Sequence, residues 1–354
     1  MSIPFRASGN DVTIEWLAAV LDTAGASEGA ELVSMTAAPI GSGQMGENVR
    51  FVLEWSAPDH PLGTVVGKFP SDDETSRATG VATGAYEKEV NFYREIAPTV
   101  DIRTPRCYHV DGDSQAGTFV LILEDLAPRR QGDQIAGCAT TEVEMVIDQL
   151  VGLQAPRWDD PTLHDVDWLG RRTDESAMQH SGLYSMLLPG WESSVGSMID
   201  PQYAEVARVL DRQMIDWLNL ESVPLVLTHG DFRLDNMMFH DEVGLAVVDW
   251  QTVGHGAPTN DLSYFMGTGP TPDLRREIEG DVVRRYHSGL TAAGVGFDWD
   301  LCWDLYRRSA PAGLLMSVIA SQIVVATDRG NAMFAAMAER SAAMALDLGS
   351  FDLV

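Results

Sequence analysis

One stretch, residues 225–251, constrains this chain more than any other part: LVLTHGDFRLDNMMFHDEVGLAVVDWQ. An apolar run, PLVL, leads into a histidine, a glycine and Asp231, and Asn236 follows Asp231 by five positions. A second apolar run, GLAVV, is followed directly by Asp249. Short apolar runs bounded by turn residues are typical of buried strands. We therefore expect Asp231, Asn236 and Asp249 to lie close together at the ends of two short neighbouring strands.

These three side chains suit phosphoryl transfer. That reaction needs a carboxylate to accept the proton of the attacking hydroxyl, and oxygen ligands for the magnesium that bridges the nucleotide phosphates. Mg²⁺ takes one or two oxygen donors from protein and the rest from phosphate and water. The kinase catalytic loop reads H-R-D-x-x-x-x-N, with a metal-binding Asp beyond it. Here the same spacing runs from His229 through Asp231 to Asn236, and Asp249 follows.

The segments HGDFRLDN, VVDWQ and NDLSYF resemble a family of small-molecule kinases, the aminoglycoside phosphotransferase, choline kinase and ecdysteroid-kinase-like group. The resemblance is strong over residues 228–265, moderate over 40–126 and weak elsewhere. It implies an α+β, bilobal, protein-kinase-like fold, with an N-terminal antiparallel sheet lobe and a larger, mostly helical C-terminal lobe. A hairpin with a polar turn is the alternative, and it would have to carry all three polar residues at this spacing.

Composition narrows the class of protein. The 354 residues are 45% hydrophobic and 21% charged, which is an ordinary globular composition. The net charge of −28 argues against a nucleic-acid partner, because phosphates attract Lys and Arg. The same charge fits a cationic substrate, or solubility alone. Three cysteines without disulfide or zinc spacing favour a reducing, cytoplasmic location.

No signal or membrane segment is expected. The N-terminus, MSIPFRASGN, has no apolar core of the kind that a signal peptide carries. The longest apolar segment, 312–326, is too short to span a bilayer, so we predict a buried core helix there. We expect a monomer or homodimer without a membrane partner.

A glycine-rich segment, GSGQMG, lies between two predicted strands and contains Gly41, Ser42, Gly43 and Gly46. Its G-x-G-x-x-G pattern does not fit dinucleotide binding, because that fingerprint opens a helix and a strand follows here. A glycine loop between antiparallel strands covers the ATP phosphates in kinases. A plain hairpin turn is the alternative interpretation.

The next predicted strand, VVGKF, supplies Lys68, which the kinase scheme pairs with an acid on the following helix. We predict that helix over residues 85–96. Glu89 precedes Phe92 in the E-x-x-F-Y pattern of the resembled family, and Glu87 is the competitor. The resemblance therefore implies Glu89. The two acids lie on different helix faces, and we expect Glu87 to face solvent.

The hinge is predicted at LILEDL, where the resemblance implies that the backbone near Glu124 and Leu126 meets the adenine edge. Composition changes there from strand-rich to helix-rich. We therefore predict a nucleotide-binding lobe over residues 1–126 and a catalytic and acceptor-binding lobe over 127–354.

Other elements follow from periodicity and capping. We predict an N-terminal helix capped by Asp11, a polar loop over 71–84, and irregular helices over 157–194 whose aromatic residues line the acceptor pocket or simply pack. Helices are predicted over 141–154, 203–220, 261–266, 273–293, 299–307, 311–327 and 331–348.

The resemblance assigns roles to these residues. Asp231 is the base, Asn236 and Asp249 hold Mg²⁺, and Lys68 neutralises the inner phosphates of ATP or GTP. Arg233 points at the transferred phosphoryl group or forms a salt bridge away from it.

Two further residues have predicted structural roles. We expect His229 to anchor the loop, and Asp261 to tie the loop down or to cap a helix. Gly230 and Gln251 replace the Arg of H-R-D and the Gly of D-F-G, and no A-P-E motif follows. These differences argue against control by loop phosphorylation and against a protein substrate.

The leading function is an ATP–Mg²⁺-dependent O-phosphotransferase for a small hydroxylated molecule. The alternatives are a regulatory pseudokinase, or a metal-dependent hydrolase using His229, Asp231, Asp249 and His255. Aminoglycosides, choline-like amines, sugars, hydroxyacids and sterols remain open as acceptors.

Overall fold

The computed structural model describes residues 3–41, 46–113, 116–170, 173–220 and 223–354. The chain divides into two compact units. The first comprises Met1–Thr99, Thr104–Pro128 and Val248–Thr252, and the second comprises Val100–Arg103, Arg129–Val247 and Val253–Val354. The first carries an antiparallel sheet and the second is mostly helical, which confirms the predicted α+β class.

The first unit is built on a five-stranded sheet. Its helices are α1 (Ile14–Thr23), α2 (Glu74–Ala82) and α3 (Ala85–Asn91), and its strands are β1 (Leu32–Pro39), β2 (Gly46–Trp55), β3 (Thr64–Pro70), β4 (Cys107–Asp113) and β5 (Thr118–Glu124). The strand order is β1-β2-β3-β5-β4, and every pair is antiparallel.

The core of this unit forms between α1 and one face of the sheet. Leu17 and Leu21 of α1 are buried with Phe51, Val65 and Ile122 of the strands. Burial of apolar side chains stabilises this layer by roughly 25 cal/mol per Å² removed from water. In the same sheet, Lys68 lies on β3 between Asn48 of β2 and Leu121 of β5.

Two predictions in this unit are wrong. Thr13, not Asp11, caps α1, since its hydroxyl accepts the backbone N–H of Trp16 at 3.2 Å. The expected loop at 71–84 contains α2, capped by Asp73, whose carboxylate accepts the N–H of Ser76 at 2.7 Å. Gly80 is the one buried residue of α2, so the sequence of this helix lacks an apolar face and does not reveal a helix.

The second unit contains eight α-helices and five short strands among its described residues. The helices are α4 (Thr140–Gln154), α5 (Asp174–Ser193), α6 (Pro201–Leu218), α7 (Asn260–Thr268), α8 (Pro272–Ala292), α9 (Trp299–Arg308), α10 (Ala312–Ile323) and α11 (Asp328–Leu348). The strands are β6 (Arg130–Gln131), β7 (Val226–Thr228), β8 (Met237–Phe239), β9 (Ala246–Val247) and β10 (Gly254–Gly256). No helix in the described part of the chain combines the length and apolar character that crossing a bilayer requires.

The segment 157–194 is irregular only in its first part. Short 3₁₀ turns at Pro161–Asp165 and Asp167–Leu169 precede α5, which is a continuous helix of 20 residues. The aromatic residues of α5 pack in the interior: the Tyr184 hydroxyl donates to Ala207 O at 3.1 Å, and the Trp191 indole donates to Ser317 at 3.1 Å. For these two residues, simple packing is the correct alternative.

The strands before His229 and before Asp249 are not neighbours, contrary to the prediction. β7 pairs with β10, and β9 pairs with β8. The apolar segment directly after Asn236 forms β8. β8 pairs with β9, the strand predicted to lie beside β7. The polar loop after β7 is therefore held by other elements.

Candidate active site

The loop after β7 is anchored by a buried carboxylate on α7. Asp261 Oδ2 accepts the backbone N–H of His229 at 2.6 Å, and Asp261 Oδ1 accepts that of Gly230 at 3.1 Å. Burial raises the pKa of Asp261, and His229 together with the two N–H donors opposes that rise. Thr259 occupies the cap position of α7, so Asp261 serves to tie down the loop.

The glycine in this loop has a backbone reason. Gly230 has φ of +81°, in the left-handed region that residues with a Cβ rarely adopt. An arginine there, as in H-R-D, would be strained. His229 beside it is fully buried, and its Nδ1 accepts the N–H of Asp231 at 3.3 Å, so its contacts hold the loop in shape.

Asp231 is the centre of what we call the aspartate cluster, Asp231, Arg233, Asn236 and Tyr264. The Tyr264 hydroxyl donates to Oδ1 at 2.8 Å, and the Asn236 amide donates to Oδ2 at 2.8 Å. Arg233 Nε lies 2.9 Å from Oδ1 and 3.0 Å from Oδ2. Burial pushes the pKa of Asp231 up, but Arg233 and Tyr264 outweigh burial and hold that pKa below its usual range.

Arg233 forms a salt bridge with the proposed base itself. Its Nη1 also contacts Asp235 at 3.0 Å and the sulfur of Met333 at 3.4 Å. Burial lowers the pKa of Arg233, and Asp231 more than offsets it, so the net direction is upward. The guanidinium therefore stays charged beside Asp231.

Asn236 ends a short 3₁₀ turn and is buried. Its amide nitrogen also donates to the backbone oxygen of Asp231 at 2.9 Å. Both of these bonds use the nitrogen, so the amide oxygen, which is the atom that hard cations bind, lies on the other branch of the side chain. Gln134, which the sequence did not single out, supports the turn by accepting the N–H of Leu234 at 2.9 Å.

The first unit holds a second charged group, the lysine cluster, which comprises Lys68, Glu89, Asp249 and Gln251. Lys68 Nζ lies 2.7 Å from Glu89 Oε1 and 3.1 Å from Asp249 Oδ1. Burial lowers the pKa of Lys68, but the two carboxylates outweigh it and raise that pKa. Burial raises the pKa of Glu89, and the Lys68 ammonium opposes that rise.

The helix periodicity explains why Glu89 meets the lysine. Glu89 is buried, and Phe92, which follows it by three positions, is buried too. Glu87 is half-buried, whereas we expected it to face solvent fully. Phe92 stacks on Trp250, with ring centroids 3.8 Å apart and an interplanar angle of 5°. The Gln251 amide donates to Glu89 Oε2 at 3.2 Å, so residues 250–251 fix the helix that carries the acid.

Asp249 differs from its two partners in exposure and backbone. Its side chain is 41% exposed, whereas those of Lys68 and Glu89 are 11% and 2% exposed. Its φ is +68°, an uncommon conformation for a residue with a Cβ, although Asp tolerates it better than most. Such backbone strain concentrates at functional sites. One partner of the buried lysine is therefore accessible to solvent.

Of the remaining predicted nucleotide residues, Gly46 and Glu124 lie in the sheet. Gly41 has φ of +73°, and Gly46 begins β2, where a Cβ would come within 3.0 Å of Phe69 O. Ser42 and Gly43 lie outside the described residues. Glu124 ends β5.

One of the two predicted hinge residues, Glu124, already has hydrogen-bond partners. The N–H of Glu124 donates to Arg106 O at 2.8 Å, and its carboxylate accepts the Arg106 N–H at 3.0 Å. Leu126 is buried. The Glu124 N–H is therefore engaged in the sheet.

The donor set can be compared with what magnesium requires. Asn236 and Asp249 each bring a hard oxygen, and Mg²⁺ needs only one or two from protein. Among the described residues, no group of three or more His, Cys, Asp and Glu side chains is placed to hold a metal ion. Asn236 belongs to the second unit and Asp249 to the first, and each oxygen is of the type that Mg²⁺ binds beside phosphate and water.

Solved structures share the fold. Plasmodium vivax ethanolamine kinase has a TM-score of 0.54 at 12% identity, covering 95% of this chain and 90% of that one. A microcompartment-associated aminopropanol kinase has a TM-score of 0.51 at 12% identity, covering 94% and 98%. The GDP complex of aminoglycoside 2'-phosphotransferase-IIIa has a TM-score of 0.50 at 14% identity, covering 94% and 99%. At identities this low, the matches establish a common fold and nothing further.

Curated relatives match only a short segment. Mouse acyl-CoA dehydrogenase family member 10 is 44% identical over 57 residues, which is 15% of this chain and 5% of the relative. Human acyl-CoA dehydrogenase family member 11 is 41% identical over 63 residues, 15% of this chain and 8% of the relative. The chain thus matches less than a tenth of the length of these relatives.

The family model of the phosphotransferase enzyme family, APH, matches residues 75–300. That range is more than half of the 354 residues and includes both charged clusters except Lys68. It confirms the resemblance that the motifs indicated. The chain belongs to the APH phosphotransferase enzyme family.

Proposed function

We propose that this protein transfers the terminal phosphoryl group of ATP, with Mg²⁺, to a hydroxyl of a small molecule, with Asp231 as the base. The observation that carries the proposal is the Asp231 carboxylate, held by Arg233, Asn236 and Tyr264 with its pKa below the usual range. A carboxylate that stays ionised can orient the attacking hydroxyl and accept its proton late in the reaction. Membership of a phosphotransferase family supports the same chemistry.

The lysine cluster is proposed to bind the nucleotide. Lys68 stays protonated between two carboxylates, so it can neutralise the inner phosphates. Glu89 orients it, since the acid is itself fixed by Gln251. We assign the backbone N–H groups of the glycine-rich loop at 41–46 to the phosphate oxygens, and the backbone near Glu124 and Leu126 to the adenine edge.

Asn236 and Asp249 are proposed as the oxygen donors for magnesium. The ion would supply positive charge to the phosphates of the nucleotide when bound. Arg233 brings a second positive charge next to Asp231, and its planar donors suit a phosphoryl oxygen as well as a carboxylate. Its present partners, Asp231 and Asp235, favour a role in holding the base.

The acceptor is best found by measuring ADP release. ATP or GTP with Mg²⁺ is offered together with aminoglycosides, choline-like amines, sugars, hydroxyacids and sterols. We expect one class to raise ADP release above the rate with water alone, and Asp231→Asn to abolish that increase. Nucleotide binding without turnover in any class would instead indicate a pseudokinase. Metal-dependent hydrolysis that is independent of nucleotide would indicate a hydrolase.

A further inference from the structure

Tyr264 is a buried residue to which the sequence motifs gave no role. It lies on α7, three positions after Asp261, and its hydroxyl donates to Asp231 Oδ1 at 2.8 Å. Positions three apart share a helix face. One face of α7 therefore carries both the carboxylate that ties down the loop backbone and the hydroxyl that reaches the Asp231 side chain.

The three donors to Asp231 do different things. Arg233 Nε is shared almost equally between the two carboxylate oxygens, at 2.9 and 3.0 Å, so it does not distinguish them. Asn236 contacts Oδ2 and Tyr264 contacts Oδ1. Together, Asn236 and Tyr264 set the rotation of the Asp231 carboxylate about its Cβ–Cγ bond.

Tyr264 is the donor that comes from outside the loop. Arg233 and Asn236 belong to the same loop as Asp231. Tyr264 lies instead on α7, which is buried from Asp261 to Thr268. Ser263 on this helix donates to Tyr306 O at 2.9 Å, which ties α7 to α9.

We propose that Tyr264 is a positioning residue for the proposed phosphotransferase: its hydroxyl fixes the Asp231 carboxylate in the orientation that receives the proton of the acceptor hydroxyl. The inference rests on the proposed function. Tyr264 acts through Asp231 and contributes no proton transfer of its own. Its removal should lower the rate of the chemical step and leave nucleotide binding unchanged.

The test is Tyr264→Phe, which removes one oxygen and keeps the ring. The assay is ATP turnover with the acceptor that gives the highest rate in the ADP-release screen, or with water if none exceeds it. We expect kcat to fall about tenfold, the size of one hydrogen bond to a charged group, with KM for ATP unchanged. Rates are expressed per folded molecule, counted by binding of ADP–Mg²⁺.

Tyr306→Phe is the matched control. The Tyr306 hydroxyl also donates to one carboxylate oxygen, Glu279 Oε1 at 2.9 Å, and the side chain is fully buried in the same unit. We expect this variant to keep the wild-type kcat. An equal loss in both variants would mean that a buried hydroxyl matters only for packing, which would overturn the proposal.

A double variant separates positioning from stability. In an Asp231→Asn background, Tyr264→Phe should cause no further loss, because residues that act through one another are not additive. An additional tenfold loss would overturn the proposal. If Asp231→Asn alone keeps the wild-type rate, the proposed function fails first. If Asp231→Asn is inactive while Tyr264→Phe matches wild type, only the role of Tyr264 fails.

Discussion

The two charged clusters surround buried central groups of opposite charge. In the lysine cluster, one buried cation is surrounded by two carboxylates, and its pKa is raised. In the aspartate cluster, one buried anion is surrounded by an arginine, an amide and a hydroxyl, and its pKa is lowered. Each central group is thus kept charged despite burial, which by itself would neutralise it.

The clusters also differ in net charge. The lysine cluster has two carboxylates for one ammonium, and the exposed one, Asp249, can share a cation. The aspartate cluster pairs Asp231 with Arg233, and its remaining donors are neutral. Under the proposed function, the lysine cluster binds nucleotide phosphate and contributes Asp249 to the metal, and the aspartate cluster holds the base.

The largest effect is expected at the centre of the aspartate cluster. Asp231→Asn keeps the shape and removes the charge, so kcat should fall by roughly 10²–10⁴-fold, as for other acid–base groups. Stabilisation by ATP–Mg²⁺ should persist, because the lysine cluster is unchanged. Steady-state kinetics and thermal unfolding measure the two quantities. Near-normal kcat would remove Asp231 from the base role.

The lysine cluster is tested by a cycle of substitutions. Lys68→Met and Glu89→Ala should each lower kcat/KM for ATP by on the order of 10²-fold, as loss of a preorganised charge does. The double variant should be little worse than either, since Glu89 acts through Lys68.

Two residues on α3 provide controls for this cycle. The sequence contains two lysines, Lys68 and Lys88, and Lys88 is half-buried next to Glu89. Lys88→Met and Glu87→Ala should both be nearly silent. A loss in either control as large as that in Lys68→Met would show that α3, rather than the ion pair, is the sensitive feature.

The magnesium dependence of nucleotide binding tests Asp249, the exposed member of the lysine cluster. Wild-type protein should gain ~2.7 kcal/mol of stability from ATP with Mg²⁺ at a ligand concentration near 100 times Kd, and less from the same concentration of ATP with a chelator. Asp249→Ala should respond equally to both. Unfolding midpoints across an ATP titration give the answer, and equal Mg²⁺ dependence in both proteins would exclude Asp249 as a ligand.

The smallest effect is expected at an ion pair outside both clusters. Arg50 makes two bonds to Asp125, at 2.6 and 3.0 Å. Burial raises the pKa of Asp125, but Arg50 and the Ala127 N–H outweigh burial, and the net direction is downward. The contribution of ionised Asp125 to stability is therefore present above the unfolded pKa of ~3.9. That contribution is lost as the pH falls through the lower pKa of the folded state.

Asp125→Asn measures this contribution. The Arg50 side chain is 37% exposed, and solvent screening limits such a pair to ~0–1 kcal/mol. The Tm at pH 7 should fall by about 1–2 °C, and the difference from wild type should shrink below about pH 4. A difference that grows in acid would mean that Asp125 is not ionised in the folded state.

Three residues of the aspartate cluster are neighbours in the sequence, whereas those of the lysine cluster are mostly distant. Asp231, Arg233 and Asn236 lie within six residues, so one loop is enough to bring them together. Lys68, Glu89 and Asp249 are far apart in the chain, and only the resemblance to a kinase family linked them. The choice of Glu89 over Glu87 followed the E-x-x-F-Y pattern of the resembled family, with helix periodicity in support.

What the sequence alone determined was the family and the α+β class, because these depend on short motifs and on apolar periodicity. Only the tertiary structure decided which strands pair, that Arg233 binds Asp231, and that Tyr264 reaches the same carboxylate. Those outcomes depend on packing between segments that are distant in the chain. The direction of a side chain is set there by its neighbours in space, which spacing along the sequence does not specify.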